Sequence, residues 1–346
     1  MSKRILLVKL SSLGDVVHTY PALTDLARAV PGAKVDWVVE EAFAPLAALH
    51  PAVGEIFPVR LRALKKAGWR AQLAHLKELR GKLKGRYDLV IDAQGLMKSA
   101  LVAKLAGARV AGYGRDHARE KLAAVAYRDE FDISVMQHAA TRTRKLFADA
   151  LGYDLEKLPL DHGLKVRNIA SIGRSALAKL GITKPPAMIL HGSAWHTKTW
   201  SPAEWRKVAE MIDARGVPLV VPAGSAEELE TAQTIIDGLE RAYVLPPLSL
   251  HELAGVLAKS RFVLGVDSGL THLGVALNRP GVFLIGPTDP VRTGPIGDTF
   301  RTIVSKGPAA PCYKRTCDLT PDGRCCMDAI KRQDVLRAVE YALAAT

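Results

Sequence analysis

A loop near the start of the chain carries a carboxylate that could act as a general base. Residues 9–15 read KLSSLGD, where a short apolar run ends in a glycine-containing loop and a helix is expected to begin near Val16. Asp15 could take a proton from a substrate hydroxyl, and Gly14 would let a substrate approach the backbone closely. Asp15 could equally cap the helix through its N–H groups, so this segment alone leaves both interpretations open.

A second segment, residues 266–272 (VDSGLTH), predicts an anion site. An apolar strand ends at Val266 and a helix is expected to start at about Gly269. The free N–H groups and the positive dipole end of such a helix suit a pyrophosphate. Asp267 would repel that phosphate, so we expect it to accept hydrogen bonds from sugar hydroxyls. A capped helix without a ligand is the alternative.

Two further loops follow predicted strands. In residues 191–200 (HGSAWHTKTW), Lys198 could stabilise the charge on a departing diphosphate without a metal, or could be an ordinary solvated lysine. In residues 222–228 (PAGSAEE), a glycine turn precedes a helix that opens with two glutamates. Capping alone could explain both, whereas in a nucleotide site one of them would accept hydrogen bonds from a ribose diol.

Basic residues are concentrated in one stretch, and the whole chain carries a net charge of +13. Residues 60–86 contain ten lysines and arginines and one acid, Glu78. Such a run favours a phosphorylated or membrane-surface partner. Because only Trp69 and Tyr87 interleave with it, single-stranded nucleic acid is weakly supported.

The four cysteines lie together near the end of the chain, at Cys312, Cys317, Cys325 and Cys326. In the pattern C-x4-C-x7-C-C only the first pair has the spacing of a zinc knuckle. We therefore expect reduced thiols rather than a metal site or a disulfide scaffold.

The elements that must position these loops alternate between short apolar runs and helix-like segments. The chain has 346 residues, 48% of them hydrophobic and 24% charged, which predicts two globular domains and argues against disorder or fibrous assemblies. The apolar runs occupy residues 5–10, 35–39, 89–93 and 109–113, and, after a break, residues 187–190, 217–221, 242–245, 262–266 and 281–285. This is the βαβ pattern of two doubly wound parallel sheets, whose strand-end loops would face a cleft.

The break, residues 153–186, places a domain boundary between residues 165 and 166. The first strand of neither half is followed by GxGxxG, and no GxxxxGK[ST] occurs. The interpretations of the chain as a dinucleotide oxidoreductase or as a P-loop kinase therefore lose their main support. An export signal and a membrane-spanning stretch are not expected either.

Together these segments resemble glycosyltransferase family 9, the ADP-heptose lipopolysaccharide heptosyltransferases. The resemblance rests on residues 9–25 (KLSSLGDVVHTYPALTD), 35–44 (VDWVVEEAFA), 90–100 (VIDAQGLMKSA), 263–277 (VLGVDSGLTHLGVAL) and 286–290 (GPTDP). It implies an α/β GT-B fold of two Rossmann-like domains facing a cleft: an acceptor-binding domain at 1–165 and a nucleotide-sugar domain at 166–331. A C-terminal helix, 332–346, would pack back on the first domain.

The resemblance also implies an activity. It is the inverting transfer of L-glycero-D-manno-heptose from ADP-heptose to the first Kdo of Kdo2-lipid A, without a metal or other cofactor. The enzyme would be cytoplasmic, would associate peripherally with the inner membrane and would not bind nucleic acid. Residues 91–99 favour this acceptor over an already heptosylated core, which stays an alternative. A basic polyanion-binding protein without catalysis is the rival from another class.

The motifs shared with this family imply roles for individual residues. Asp15 falls on the general base and Lys198 on the lysine that binds the diphosphate. The implied nucleotide-sugar site comprises Ser193, Lys198, Glu228, Leu248, Asp267, Ser268, Gly269, Leu270 and His272. We expect acceptor contacts from Arg60, Arg62, Lys65, Lys98 and Arg119.

Overall fold

The computed structural model describes residues 3–61, 63 and 68–344, and it divides the chain into two compact units. The first is Met1–Lys165 and the second is Val166–Thr346. The division falls at the residue pair where the sequence places the domain boundary.

The first unit is built on a six-stranded sheet with the order β3-β2-β1-β4-β5-β6, and its neighbouring strands pair in parallel. Its strands are β1 Arg4–Val8, β2 Lys34–Glu40, β3 Val53–Val59, β4 Leu89–Asp92, β5 Arg109–Tyr113 and β6 Asp129–Phe131. Its described α-helices are α1 Leu13–Val17, α2 Tyr20–Ala29, α3 Ala44–Ala47, α4 Trp69–Leu83, α5 Met97–Lys104 and α6 Ala139–Leu151. Short 3-10 helices span Glu41–Phe43, Lys121–Ala126 and Leu155–Lys157.

The second unit repeats this plan with the order β12-β11-β10-β7-β8-β9, again with parallel pairing. Its strands are β7 Ala187–Leu190, β8 Leu219–Val221, β9 Ala242–Val244, β10 Phe262–Val266, β11 Gly281–Ile285 and β12 Phe300–Val304. Its described α-helices are α7 Val166–Lys179, α8 Pro202–Ala214, α9 Ala226–Ile236, α10 Leu250–Lys259, α11 Gly269–Ala276, α12 Pro290–Thr293, α13 Cys325–Asp328 and α14 Arg332–Ala344. One 3-10 turn spans His196–Lys198.

The central strands of the second sheet are apolar along their whole length because helices cover both faces of a parallel sheet. Every residue of β7, β10 and β11 is buried. Trp200 and Trp205 are both buried in the core of the second unit, with their rings edge to face. Packing of this kind makes each sheet a rigid support for the loops at its strand ends.

Each sheet has one point where the strand order reverses, and ligands of doubly wound folds bind at the carboxyl ends of strands there. In the first unit this point lies between β1 and β4, so the loops after Val8 and Asp92 meet. In the second unit it lies between β7 and β10, so the loops after Leu190 and Val266 meet. These four loops contain the motifs singled out above around Asp15, Lys198 and Asp267.

The C-terminal helix, α14, belongs to the second unit, where it lies against α8 and β10 to β12. Its expected packing on the first domain stays a prediction. Its apolar stripe of Val335, Val339 and Leu343 is buried in the core of that unit, and Arg261 Nη2 donates to Leu343 O at 3.0 Å. This apolar stripe therefore covers the second sheet. Within residues 3–61, 63 and 68–344, none of the helices has both the length and the apolar character to cross a bilayer.

Candidate active site

Asp15 lies in the first turn of α1, which begins at Leu13 rather than near Val16 as expected. Its Oδ2 accepts from the backbone N–H of Ser12 at 2.8 Å and so caps the helix. Its Oδ1 accepts from Arg119 Nη2 at 2.8 Å and lies 3.7 Å from Lys9 Nζ. The same carboxylate therefore caps the helix with one oxygen and presents the other to two cations.

The electrostatics of this group keep the carboxylate ionised. Burial raises the pKa of Asp15. The opposing effect of Lys9, Arg119 and the Ser12 N–H is larger, so the pKa lies below its ordinary value. Burial lowers the pKa of Lys9 to about 8, partly opposed by Asp15. At neutral pH the pair is a carboxylate beside an ammonium group.

A small pocket opens on this carboxylate. Its walls are Lys9, Asp15, Ala93, Gln94, Tyr113, Arg119, Ala139, Arg142 and Thr143. Gln94 Oε1 accepts from the N–H groups of Leu10 and Ser11, at 3.1 Å each, and so ties the loop after β1 to the loop after β4. The sequence did not single out Lys9, Gln94 and Arg142 as site residues, although Lys9 and Gln94 each lie within two residues of the end of a strand.

Behind the pocket, Asp92 is fully buried and holds the loop that carries Gln94. It accepts hydrogen bonds from the N–H groups of Gln94 and Gly95 and from the hydroxyls of Ser99 and Tyr127. Burial is the main reason why its pKa is raised. This network accounts for the spacing of Asp92, Gln94 and Ser99 as support for the pocket wall.

In the second unit, Asp267 gathers three side chains around one carboxylate. Its Oδ2 accepts from Lys198 Nζ at 2.7 Å and from Thr288 Oγ1 at 2.6 Å, and its Oδ1 lies 3.1 Å from His272 Nε2. Burial raises its pKa, but His272 and Lys198 lower it far more, so the pKa lies well below the usual range. Thr288, in the GPTDP segment, was not among the expected site residues.

The turn after Asp267 starts α11 at Gly269, as expected. Ser268 occupies the N-cap position, and its Oγ lies 3.1 Å from Thr271 Oγ1, which donates to Val266 O at 2.7 Å. The first N–H groups of a helix have no carbonyl of a preceding turn to bind, so Gly269 and Leu270 offer donors to an anion.

A pocket of about 190 Å³ lies beside this turn. Its lining is mostly apolar, formed by Leu190, His191, Gly192, Pro222, Ala223, Gly224, Glu228, Leu245, Pro246, Leu248, Leu250, Leu253 and Leu270. Glu228 Oε2 accepts from Gly224 N–H at 2.7 Å, whereas Glu227 is exposed and outside the lining. The pocket thus presents one carboxylate in an apolar slot, which suits a flat base joined to a sugar that carries a diol.

Only some of the remaining expected residues lie close to the groups described above. Ser193 Oγ accepts from Trp195 N–H at 3.4 Å, close to the Lys198 turn. Arg60 is exposed and paired with Glu41, and Lys98 is exposed on α5 and does not line the Asp15 pocket. Arg62 and Lys65 lie outside the described residues. Arg119 alone of the described acceptor candidates contacts Asp15.

The cysteine segment supports the Lys198 turn. Thr197 Oγ1 donates to Lys314 O at 2.8 Å, and His196 Nε2 lies 2.8 Å from Asp322 O. The four thiols are free, and Cys317 Sγ lies 3.2 Å from Cys325 Sγ. In the part of the chain that the structure describes, no group of three or more His, Cys, Asp or Glu side chains is arranged to hold a metal ion.

Known proteins are similar to this chain in sequence and in fold. The family profile of glycosyltransferase family 9 (heptosyltransferase) matches residues 73–321. The lipopolysaccharide heptosyltransferase 1 of Pseudomonas aeruginosa is 47% identical over 327 residues, covering 92% of this chain and 88% of that protein. The Escherichia coli K12 protein of that description is 41% identical over 297 residues, covering 85% and 91%.

Solved structures agree in fold. The Escherichia coli heptosyltransferase WaaC with ADP superposes with a TM-score of 0.84 at 36% identity, covering 98% of this chain and 99% of that one. The same enzyme with ADP-2-deoxy-2-fluoro heptose gives a TM-score of 0.80 with the same coverage. The two-sheet α/β architecture is thus that of GT-B heptosyltransferases. The chain belongs to glycosyltransferase family 9, the heptosyltransferases.

Proposed function

We propose that this glycosyltransferase moves L-glycero-D-manno-heptose from ADP-heptose to the first Kdo of Kdo2-lipid A, with inversion, in the lipopolysaccharide inner core. The observation that carries the proposal is the Asp267 constellation. A buried carboxylate, the Lys198 ammonium and the N-terminus of α11 lie together at the switch point of the second sheet. A sugar diphosphate needs all three kinds of group.

The second unit would bind the donor. The apolar slot beside α11 takes the adenine against Leu248, and Glu228 accepts hydrogen bonds from the ribose hydroxyls. The diphosphate meets the N–H groups of Gly269 and Leu270. Asp267 binds heptose hydroxyls. Support for this donor comes from the relatives solved with ADP and with an ADP-heptose analogue.

Lys198 would stabilise the departing ADP. As the bond between the anomeric carbon and the phosphate oxygen breaks, its electron pair leaves with ADP, and the ammonium group with the helix N-terminus offsets the growing charge. We propose that these fixed positive groups let the reaction proceed without a metal or other cofactor.

The first unit would bind the acceptor. Asp15 takes the proton of the Kdo hydroxyl, whose oxygen forms the new bond to the anomeric carbon from the face opposite ADP. Arg119 and Lys9 hold the Asp15 carboxylate in place and keep it ionised before the hydroxyl arrives. A Kdo carboxylate would meet the same positive charges.

The lipid A part of the acceptor places the enzyme at a membrane. We propose that it is a cytoplasmic protein that associates peripherally with the inner membrane, where its basic residues meet lipid phosphates. The exposed Arg70, Lys77 and Arg80 of α4 fit this role.

Mass spectrometry of Kdo2-lipid A after incubation with enzyme and ADP-heptose tests the proposal. We expect one added heptose and an equal amount of released ADP. Transfer only to an already heptosylated core would favour the later step of the same assembly. ADP-heptose conversion without any acceptor, or polyanion binding without ADP release, would contradict the proposal.

A further inference from the structure

Three helical segments cover one face of the first sheet. The helices α4 and α5 and the 3-10 helix Lys121–Ala126 all pack into one apolar cluster with Val90 and Val110 of that sheet. Their inward side chains are Leu79 and Leu83 of α4, Ala100 and Ala103 of α5, and Ala123 and Ala124 of the 3-10 helix. The solvent-exposed side chains of these three segments lie over this same face of the sheet, and together we call them the α4–α5–121 face.

This face exposes six large apolar side chains, each between 52% and 80% exposed. They occur in pairs one turn apart, at Trp69 and Leu73, Met97 and Leu101, and Leu122 and Val125. Single exposed apolar residues are ordinary on a soluble surface, but a set on one layer marks an interaction site.

The charges of the same three segments are almost all positive. Their ranges contain seven lysines and arginines, and the one acid is Glu78, which pairs with Lys82. The guanidinium of Arg70 lies over the Trp69 ring at 5.3 Å. A second copy of this chain would bring the same positive charge and be repelled. A surface of anionic lipid complements both the charge and the apolar side chains.

The face adjoins the pocket of Asp15. Glu120 N–H donates to Gly95 O at 3.0 Å, and Glu120 Oε2 accepts from Met97 N–H at 2.6 Å. Arg119 and Gln94, which line the pocket, precede the 3-10 helix and α5 by two and three residues respectively. Both segments of the face thus begin at the pocket rim.

We propose that the α4–α5–121 face is the surface by which the enzyme lies on an anionic bilayer, with its apolar side chains in the headgroup boundary. The proposal rests on the lipid-linked acceptor of the proposed function. It also gives Lys98 a different role from the expected acceptor contact, because Lys98 lies on this face beside Met97 and Leu101.

Sedimentation with vesicles of phosphatidylglycerol and phosphatidylethanolamine tests the surface without any substrate. We expect the double variant Leu101→Gln, Val125→Gln to bind about tenfold more weakly than the parent protein, and both to bind phosphatidylcholine vesicles poorly. The matched control is Val291→Gln, Leu319→Gln, which removes two equally exposed apolar side chains from the second unit. Circular dichroism on all three proteins verifies folding.

Heptose transfer separates this proposal from the proposed function. The double variant should transfer to a deacylated, water-soluble Kdo acceptor like the parent protein but lose about tenfold with the acceptor embedded in vesicles. Equal vesicle binding by the double variant and the parent protein, or equal loss in the control, would overturn the docking face. A parent protein that binds vesicles through this face but transfers heptose to neither acceptor would overturn only the proposed function.

Discussion

Lys198 Nζ donates to Asp267 Oδ2 at 2.7 Å, so the lysine proposed to receive the diphosphate charge is held by the carboxylate proposed to bind the sugar. The Asp267 side chain is 4% exposed and also bonds to Thr288 and His272. The ammonium group is therefore positioned before a donor arrives. A diphosphate competes with Asp267 for one of its three N–H bonds rather than ordering a free side chain.

Replacing this lysine should impair both binding and chemistry. We expect Lys198→Ala to raise the KM for ADP-heptose and to lower kcat by about 10²- to 10³-fold, the usual loss for one oriented donor. Steady-state kinetics with ADP-heptose gives both parameters. Lys207→Ala, an exposed lysine of α8 in the same unit, is the control. Unchanged kinetics for Lys198→Ala would remove it from the site.

Asp15→Asn keeps the shape of the side chain but removes the proposed general base. We expect kcat to fall by about 10²- to 10⁴-fold while ADP-heptose binding, measured by calorimetry, stays as in the parent protein. Asp149→Asn on the outer part of α6 controls for loss of an aspartate from the same unit. Retained turnover in Asp15→Asn would refute the assignment of the base.

The pH dependence of stability should report Lys9. Its pKa falls from 10.5 in the unfolded chain to about 8 in the folded protein, so the unfolded chain binds more protons between these values. The contribution of Lys9 to the free energy of unfolding therefore rises with pH from about 8 to about 10.5. Urea unfolding across this range should show a smaller rise for Lys9→Met than for the parent protein. Lys207→Met, which removes an exposed lysine, should follow the parent curve, and parallel curves for all three proteins would contradict the prediction.

Two glycines set the distance between α7 and α10. A Cβ atom on Gly173 would overlap the backbone carbonyl of Gly255, so neither helix has room for a side chain at the crossing. We expect Gly173→Ala to lower the free energy of unfolding by about 1–3 kcal/mol, the usual cost of overpacking. Gly81→Ala in α4, where no atom lies near, should instead raise it by about 0.5–1 kcal/mol. Urea denaturation measures both, and a stable Gly173→Ala protein would be the contrary result.

The sequence predicted the central strands because a buried parallel strand is a continuous apolar run. The three strands that it missed lie at the edges of the sheets, where such runs are broken. The strand β3 contains Gly54 and Pro58, β6 has three residues, and β12 is half exposed. The amphipathic stripe of α14 likewise predicted a helix but could not show which sheet it covers.

The site residues divide in the same way. The sequence identified Asp15 and Asp267 because each follows a recognisable strand. Thr288 and Lys9 were missed because their roles depend on partners brought together by the sheet, and nothing local to Lys9 shows that its ammonium group is buried. The residue pattern alone did not separate Glu227 from Glu228, since both open the same helix. The family resemblance named Glu228, which is the one that lines the pocket.

The last helix has a consequence for the order of folding during synthesis. The apolar cluster beneath α4 and α5 is complete once the ribosome has made residue 127, whereas the core of the second unit includes Leu343. The first unit can close while translation continues, but the second sheet keeps apolar surface uncovered until the final turns emerge. Chains terminated before Arg332 should therefore aggregate or be degraded even though every residue of both sites is present.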